Sequence, residues 1–150
     1  MTDALTRTDR QILRLLQADG RLSNAEIAKR VNVSQATCHR RIQRLLAAGY
    51  VRGVRGDIAP ARVGLGALVV VGVVLDRSTP ESFAAFEAAV AGLPIHLVAG
   101  DFDYFLKIRV RDIADFNRLH GERLIALPGV RQTRTFFVMK EVIDNAPLDF

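Results

Sequence analysis

The most constraining feature of this chain is the stretch from residue 23 to residue 45, which reads SNAEIAKRVNVSQATCHRRIQRL. A serine opens each of two short helical patterns, and Ser23 with Glu26 has the spacing of a capping box. Asn32 tolerates the positive φ of a tight turn between the patterns. Ser34 then caps the second helix. The stretch therefore predicts two helices joined by a short turn.

The second of these helices has two different faces. Cys38, Ile42 and Leu45 fall on one stripe at spacings of four and three residues, which predicts a buried face. The opposite side suits a DNA major groove, because Arg pairs with guanine, Gln pairs with adenine, and a small side chain permits close approach. We assign base readout to Gln35, Ala36, Thr37, His39 and Arg40, and phosphate contact to Arg41 and Arg44, with Lys29 or Arg30 as further candidates.

A third helix is predicted before this pair, over about residues 7–18. Thr6 or Thr8 can cap it, and Asp9 suits the positive end of its dipole. After the pair, residues 50–56 alternate and are dotted with glycine, which predicts a strand or short wing. The first 56 residues are thus expected to form a winged helix-turn-helix.

Charge is unevenly distributed along the chain. Of the net charge of +5, residues 1–56 carry +7, from eleven Lys or Arg and four Asp or Glu, and residues 57–150 carry −2, from ten and twelve. A basic front half indicates contact with a polyanion, although ordinary solubilising charge is the alternative. Together with the paired serine caps and the arginine cluster, this balance favours DNA binding over a plain three-helix bundle.

The rear half predicts a small sandwich over residues 67–150, after a linker over residues 57–66. Thr79 and Asp112 are expected to cap its two helices, and the second helix is expected to extend to about Ala126. The order β-α-β-β-α-β is that of a ferredoxin-like sandwich, so the fold class is α+β. One sheet face is left without helices, and self-association is expected to cover it. The predicted strands are residues 67–76, 95–99, 104–110 and 130–142.

Catalytic and metal-binding patterns are weak. The three histidines have no ligand spacing, Cys38 lies on the apolar stripe, and no glycine-rich phosphate loop is present. We therefore predict no enzyme, no metal and no cofactor. The turn Gly100–Tyr104 with Thr133 and Thr135 could instead bind a small molecule, with an ordinary capped hairpin turn as the equal alternative. Without a membrane-length apolar run or a secretory signal, a cytoplasmic protein without membrane contact is expected.

These motifs, in this order, resemble the Lrp/AsnC family of transcriptional regulators. The family resemblance implies a winged helix-turn-helix followed by an amino-acid-sensing domain, dimers that form through that domain, and assembly of dimers into an octamer. It also implies an amino acid effector bound between dimers. The likeness rests on residues 9–13, 20–23, 33–45, 49–51, 100–107, 127–130 and 133–135.

Carried over by position, the resemblance implies an effector site near the turn and the last strand. Two residues depart from the family pattern: Gln35 stands where proline is frequent, and Leu46 stands where an acidic residue is common. We predict a sequence-specific DNA-binding regulator that responds to an amino acid; the alternatives are an architectural DNA-binding protein or a small-molecule-binding metabolic protein. The implied effector residues are Gly100, Asp101, Asp103, Tyr104, Thr133 and Thr135.

Overall fold

The computed structural model describes residues 4–150, which form two compact units. The first unit comprises the described residues up to Asp57 together with Ile143–Phe150, and the second is Ile58–Val142. The division falls at the start of the predicted linker, part of which is a 3-10 helix, Pro60–Val63. Ile143–Phe150 lies with the first unit, whereas the sequence prediction assigned it to the second domain.

The first unit contains three helices whose ends follow from local capping. They are α1 (Arg7–Ala18), α2 (Asn24–Val31) and α3 (Gln35–Ala47). Thr6, Ser23 and Ser34 are their N-caps, and the predicted capping box between Ser23 and Glu26 is confirmed. Asn32 takes the predicted left-handed conformation, with φ 55°. The helix pair and its turn are therefore as predicted.

The end of α3 is a Schellman motif. Gly49 has φ 76°, its N–H donates to the Leu46 carbonyl, and the Tyr50 N–H donates to the Leu45 carbonyl. The residues that follow were predicted to form a strand or short wing, and no strand is present in residues 50–56, all of which the structure describes. A strand requires a hydrogen-bonded neighbour, and alternation in the sequence does not supply one.

The second unit is built on one antiparallel sheet in the order β2-β3-β1-β4. The chain order of its elements is the predicted β-α-β-β-α-β. Two helices accompany the sheet, and both predicted caps, Thr79 and Asp112, are confirmed. The elements are β1 (Ala67–Leu75), α4 (Pro80–Ala89), β2 (Ile95–Leu97), β3 (Tyr104–Val110), α5 (Ile113–Leu119) and β4 (Val130–Phe137).

Three predicted boundaries in this unit are wrong, each at an end of an element. β4 stops at Phe137, which pairs with Val69. Because Val69 is close to the first residue of β1, residues 139–142 have no residue of β1 with which to pair. β2 is limited to three residues, which pair with β3. α5 gives way to the π-helix His120–Leu124, which contains Gly121, a residue of low helix propensity.

Helices cover one face of the sheet, and aromatic side chains lie on the other. Residues 69, 71, 73 and 75 of β1 are buried with Phe86 of α4 and Phe116 of α5 in one core. On the other face the Phe102 ring lies directly over Gly72, where an added Cβ would come within 2.7 Å of ring carbons. Phe102 also packs near Phe105 and Phe136, at centroid distances of 5.2 and 6.3 Å. An aromatic cluster therefore lies on the face without helices.

Gly72→Ala tests this close packing. The new methyl group must displace the Phe102 ring, and we expect the free energy of unfolding to fall by about 1–3 kcal/mol in urea denaturation. Gly121→Ala is the matched control, because a Cβ there meets no atom within 4 Å, and it should be neutral or stabilising. Equal stability of the Gly72→Ala variant and the unmodified protein would contradict the packing.

Candidate DNA-binding surface and ligand site

The third helix presents the two predicted faces. Cys38 is fully buried and Leu45 is 1% exposed, both within the core of the first unit. Of the five residues assigned to base readout, Thr37 is half-buried; its N–H donates to the Ser34 hydroxyl, which in turn donates to the Thr37 hydroxyl. The other four form the exposed reading face of α3: Gln35, Ala36, His39 and Arg40.

The structure places the two arginines assigned to phosphate differently from the reading face. Arg41 Nη1 lies 3.0 Å from one carboxylate oxygen of Asp9, and Arg44 Nη2 lies 2.6 Å from the other. Asp9 is fully buried, and the Arg41 and Arg44 side chains are 28% and 40% exposed. Both arginines therefore fasten α3 to α1, and any phosphate contact must use their remaining donors.

The ionisation of Asp9 depends on these partners. Burial by itself would raise the pKa of the carboxyl group, but hydrogen bonds from the Thr6 hydroxyl and N–H, and from Arg44 and Arg41, outweigh it. The pKa of Asp9 is consequently held well below its usual range. A carboxylate that remains charged in the interior keeps both arginines in place at neutral pH.

Sequence reasoning missed a second contact that sets the angle of α3. The side-chain amide of Asn24, the first residue of α2, donates to the Gln35 carbonyl at 2.9 Å. The two N-terminal ends of the helix pair are thereby joined. Lys29 and Arg30 are exposed in the last turn of α2, where cations favour the helix dipole.

The candidate ligand residues fall into two groups. Gly100 and Asp101 are exposed at the turn before β3, and Gly100 has φ 140°. Tyr104 and Thr133 lie in one row of the sheet, separated by Val73 of β1. Their strands are two spacings apart, about 10 Å. Thr135 lies in the next row on the same, helix-covered face.

Several of these residues already have structural partners. The Asp103 carboxylate accepts a hydrogen bond from the Leu75 N–H at 2.7 Å, beyond the last β1–β3 pair, and one from the Ser78 hydroxyl at 3.4 Å. The Tyr104 hydroxyl donates to Glu87 at 2.7 Å. Burial, followed by this bond to Glu87, raises the pKa of Tyr104 above its usual range.

His120 is a member of this region that the spacing of the histidines did not reveal. Its Nε2 lies 3.2 Å from the Thr133 hydroxyl, and its ring centroid lies 5.8 Å from that of Phe116. The residue belongs to the π-helix after α5, a kind of distortion frequent at functional sites. His120 thus brings the end of α5 to the Thr133 row of the sheet.

Comparisons with known proteins agree on both halves of the chain. Residues 5–52 match the family model of winged helix-turn-helix DNA-binding domains, and residues 68–148 match that of the Lrp/AsnC ligand binding domain. The leucine-responsive regulatory protein of Salmonella typhimurium is 46% identical over 142 residues, covering 92% of this chain and 87% of that protein. The Escherichia coli protein of the same name is 45% identical, with the same coverage.

Solved structures show the same arrangement. A transcriptional regulator from Neisseria meningitidis, in complex with L-Met, superposes with a TM-score of 0.90 at 31% identity, over 97% of each chain. An AsnC family regulator from Agrobacterium tumefaciens gives 0.89 at 29% identity, over 96% of each chain. E. coli AsnC gives 0.84 at 25% identity, over 95% of this chain and 97% of that one.

The two matched domains define a transcriptional regulator with a helix-turn-helix DNA-binding domain and an amino-acid-binding domain. The chain belongs to the Lrp/AsnC family. Among residues 4–150, no helix is both long enough and apolar enough to cross a membrane.

Asp9→Asn tests the fastening of α3. Losing the carboxylate leaves two cations without their partner, and we expect the free energy of unfolding to fall by about 2–3 kcal/mol at pH 7. Because the folded-state pKa of Asp9 is depressed, its stabilisation is present above the ordinary value of 3.8 and is lost as pH falls below it. The difference in the free energy of unfolding between the unmodified protein and Asp9→Asn should therefore become smaller when urea denaturation is repeated at pH values below 3.8.

The control is Asp19→Asn. Its partner Arg21 is 95% exposed, so the change should cost less than about 0.5 kcal/mol. Equal losses for the Asp9 and Asp19 variants would show that the buried carboxylate has no special role.

Proposed function

We propose that this regulator reads a specific DNA sequence with the reading face of α3 and responds to an amino acid bound by its second unit. The observation that carries the proposal is the difference between two sets of residues on α3. Arg41 and Arg44 are fixed on Asp9, while Gln35, Ala36, His39 and Arg40 remain exposed in the N-terminal part of the helix. In helix-turn-helix proteins that part of the recognition helix reaches base edges.

The proposed assembly is a dimer, with further association of dimers up to an octamer. The sheet face without helices carries an aromatic cluster, in which Phe136 is 47% exposed. An exposed apolar surface of this kind favours burial against a second copy. A dimer would place two copies of α3 on half-sites about one helical turn apart.

The proposed effector site uses the chemistry of a free amino acid. The exposed Asp101 and the less engaged oxygen of Asp103 suit an ammonium group, and backbone N–H groups of the Gly100 turn suit a carboxylate. Thr133 and Thr135 then lie in neighbouring rows of the sheet. We propose no catalytic role for any of these residues, and we place the protein in the cytoplasm with DNA and amino acids as its partners.

Arg40→Ala tests base readout. Loss of one bidentate base contact costs about 1–3 kcal/mol, so the dissociation constant for a promoter fragment should rise roughly 5- to 150-fold, with a smaller rise for unrelated DNA. Arg21→Ala is the charge-matched control and should change both constants equally and weakly, because Arg21 lies between α1 and α2 and not on the reading face of α3. Both DNAs should be measured at one fixed salt concentration.

The same measurement separates specific reading from architectural binding. If unrelated DNA competes for the unmodified protein as well as a promoter fragment does, the proposal of sequence-specific binding fails. An equal loss on both DNAs for Arg40→Ala would instead assign that residue to a phosphate.

A thermal-shift screen with the twenty amino acids tests the effector site. A ligand that binds only the folded state raises the melting temperature, and we expect at least one amino acid to do so. For that amino acid, Thr135→Val should raise the dissociation constant by about tenfold, since it removes a hydroxyl without changing side-chain size. Gln132→Ala, on the opposite face of the same strand, is the control; a flat screen would contradict the effector proposal.

A further inference from the structure

The segment Ile143–Phe150, called the strap below, packs on α1 within the first unit. The side-chain amide of Gln17 both donates a hydrogen bond to the backbone of the strap and accepts one from it. The side-chain Nε2 donates to the Leu148 carbonyl at 2.9 Å, and Oε1 accepts the Leu148 N–H at 3.0 Å. One glutamine side chain thus holds the strap as a neighbouring strand would hold it.

A second pair of contacts fixes the end of the strap. The Arg14 guanidinium donates to the Phe150 carbonyl and lies 5.6 Å from the centroid of the Phe150 ring. That distance is within the range of a cation–π contact. The ring also packs against the core of the first unit, which includes Ile12 and Cys38. The strap is therefore anchored by a side chain as well as by its backbone.

The strap gives the DNA-binding unit a second covalent connection to the ligand-binding unit. The chain passes from one unit to the other after Asp57 and again after Val142. Ten residues, 138–147, separate the end of β4 from Leu148. Within these residues Glu141 accepts hydrogen bonds of 2.9 and 2.6 Å from Arg109 of β3, so the segment that leads to the strap is held on the sheet.

Docking of the strap is nevertheless weak. Leu148 is 74% exposed, and the hydrogen bonds of Gln17 are solvent-exposed. A segment held by so few buried contacts is expected to open at a low free-energy cost, so a small bias can shift the populations of its docked and released states. An amino acid bound at the candidate effector residues Thr133 and Thr135 would contact β4, the strand that precedes the strap. At the other end of the strap, α1 is joined to Arg41 and Arg44 of α3 through Asp9.

We propose that the strap couples the amino acid site to the DNA-reading helix, with Gln17 as the residue that fastens it. The coupling runs from β4 through residues 138–147 to α1, and from α1 through Asp9 to α3. This inference rests on the proposed function, because it assumes that an amino acid alters DNA binding.

Two variants of the full chain release the strap from opposite sides. Gln17→Ala removes the side-chain amide, and Leu148→Pro removes the backbone donor without touching α1. Both changed positions are exposed, so the first unit should stay folded. Hydrogen exchange should become faster in the strap. The amino acid's effect on the DNA dissociation constant, usually about 5- to 150-fold for allosteric coupling, should fall towards 1 in both variants.

The control is Gln11→Ala, the same substitution on the same helix. Gln11 lines a separate groove with Arg30 and Val31, and its loss should leave both the exchange and the coupling unchanged. Two dissociation constants should stay near those of the unmodified protein in all three variants. They are the constant for DNA without amino acid and the constant for the amino acid, measured by calorimetry.

Two results would overturn the strap proposal. One is full coupling in variants whose strap exchanges rapidly, and the other is unchanged strap exchange in both Gln17→Ala and Leu148→Pro. Failure of the proposed function gives a different pattern, since the unmodified protein would then bind DNA or the amino acid without any coupling between them.

Discussion

A buried carboxylate, that of Asp9, joins the first helix of this protein to the third. It accepts hydrogen bonds from Thr6 at the start of α1 and from Arg41 and Arg44 on α3. An unpaired charge in that position would be strongly destabilising, so the two helices are held in one relative orientation. The orientation of α3 relative to α1 and α2 is a consequence of this contact and of the Asn24 bond to Gln35.

Local signals predicted most of the fold, because they act over a few residues. The caps Ser23, Ser34 and Thr79 and the left-handed Asn32 depend only on neighbours in sequence, and each is confirmed. The end of β4 could not be predicted in this way, since it depends on where β1 begins, seventy residues earlier. The absent wing strand has the same cause, because a strand needs a partner that its own sequence does not specify.

The candidate sites show the same limit. Helical periodicity was sufficient to separate the buried stripe of α3 from its exposed reading face, and Cys38 and Leu45 are buried as expected. Periodicity could not show that Arg41 and Arg44 have a partner on another helix, 32 and 35 residues away. The anchoring of Leu148 by Gln17 spans 131 residues and left no signal in the pattern.

The central claim is that the reading face of α3 lies in the DNA major groove. The most direct measurement attaches a DNA-cleaving chelate to Ala36→Cys. Cys38 should not react, because it is fully buried and burial raises the pKa of its thiol. The account predicts cleavage confined to two half-sites about one helical turn apart, and none from a label at the exposed Ala84→Cys of α4. Bound DNA that is cut from position 84, or evenly along its length from position 36, would contradict it.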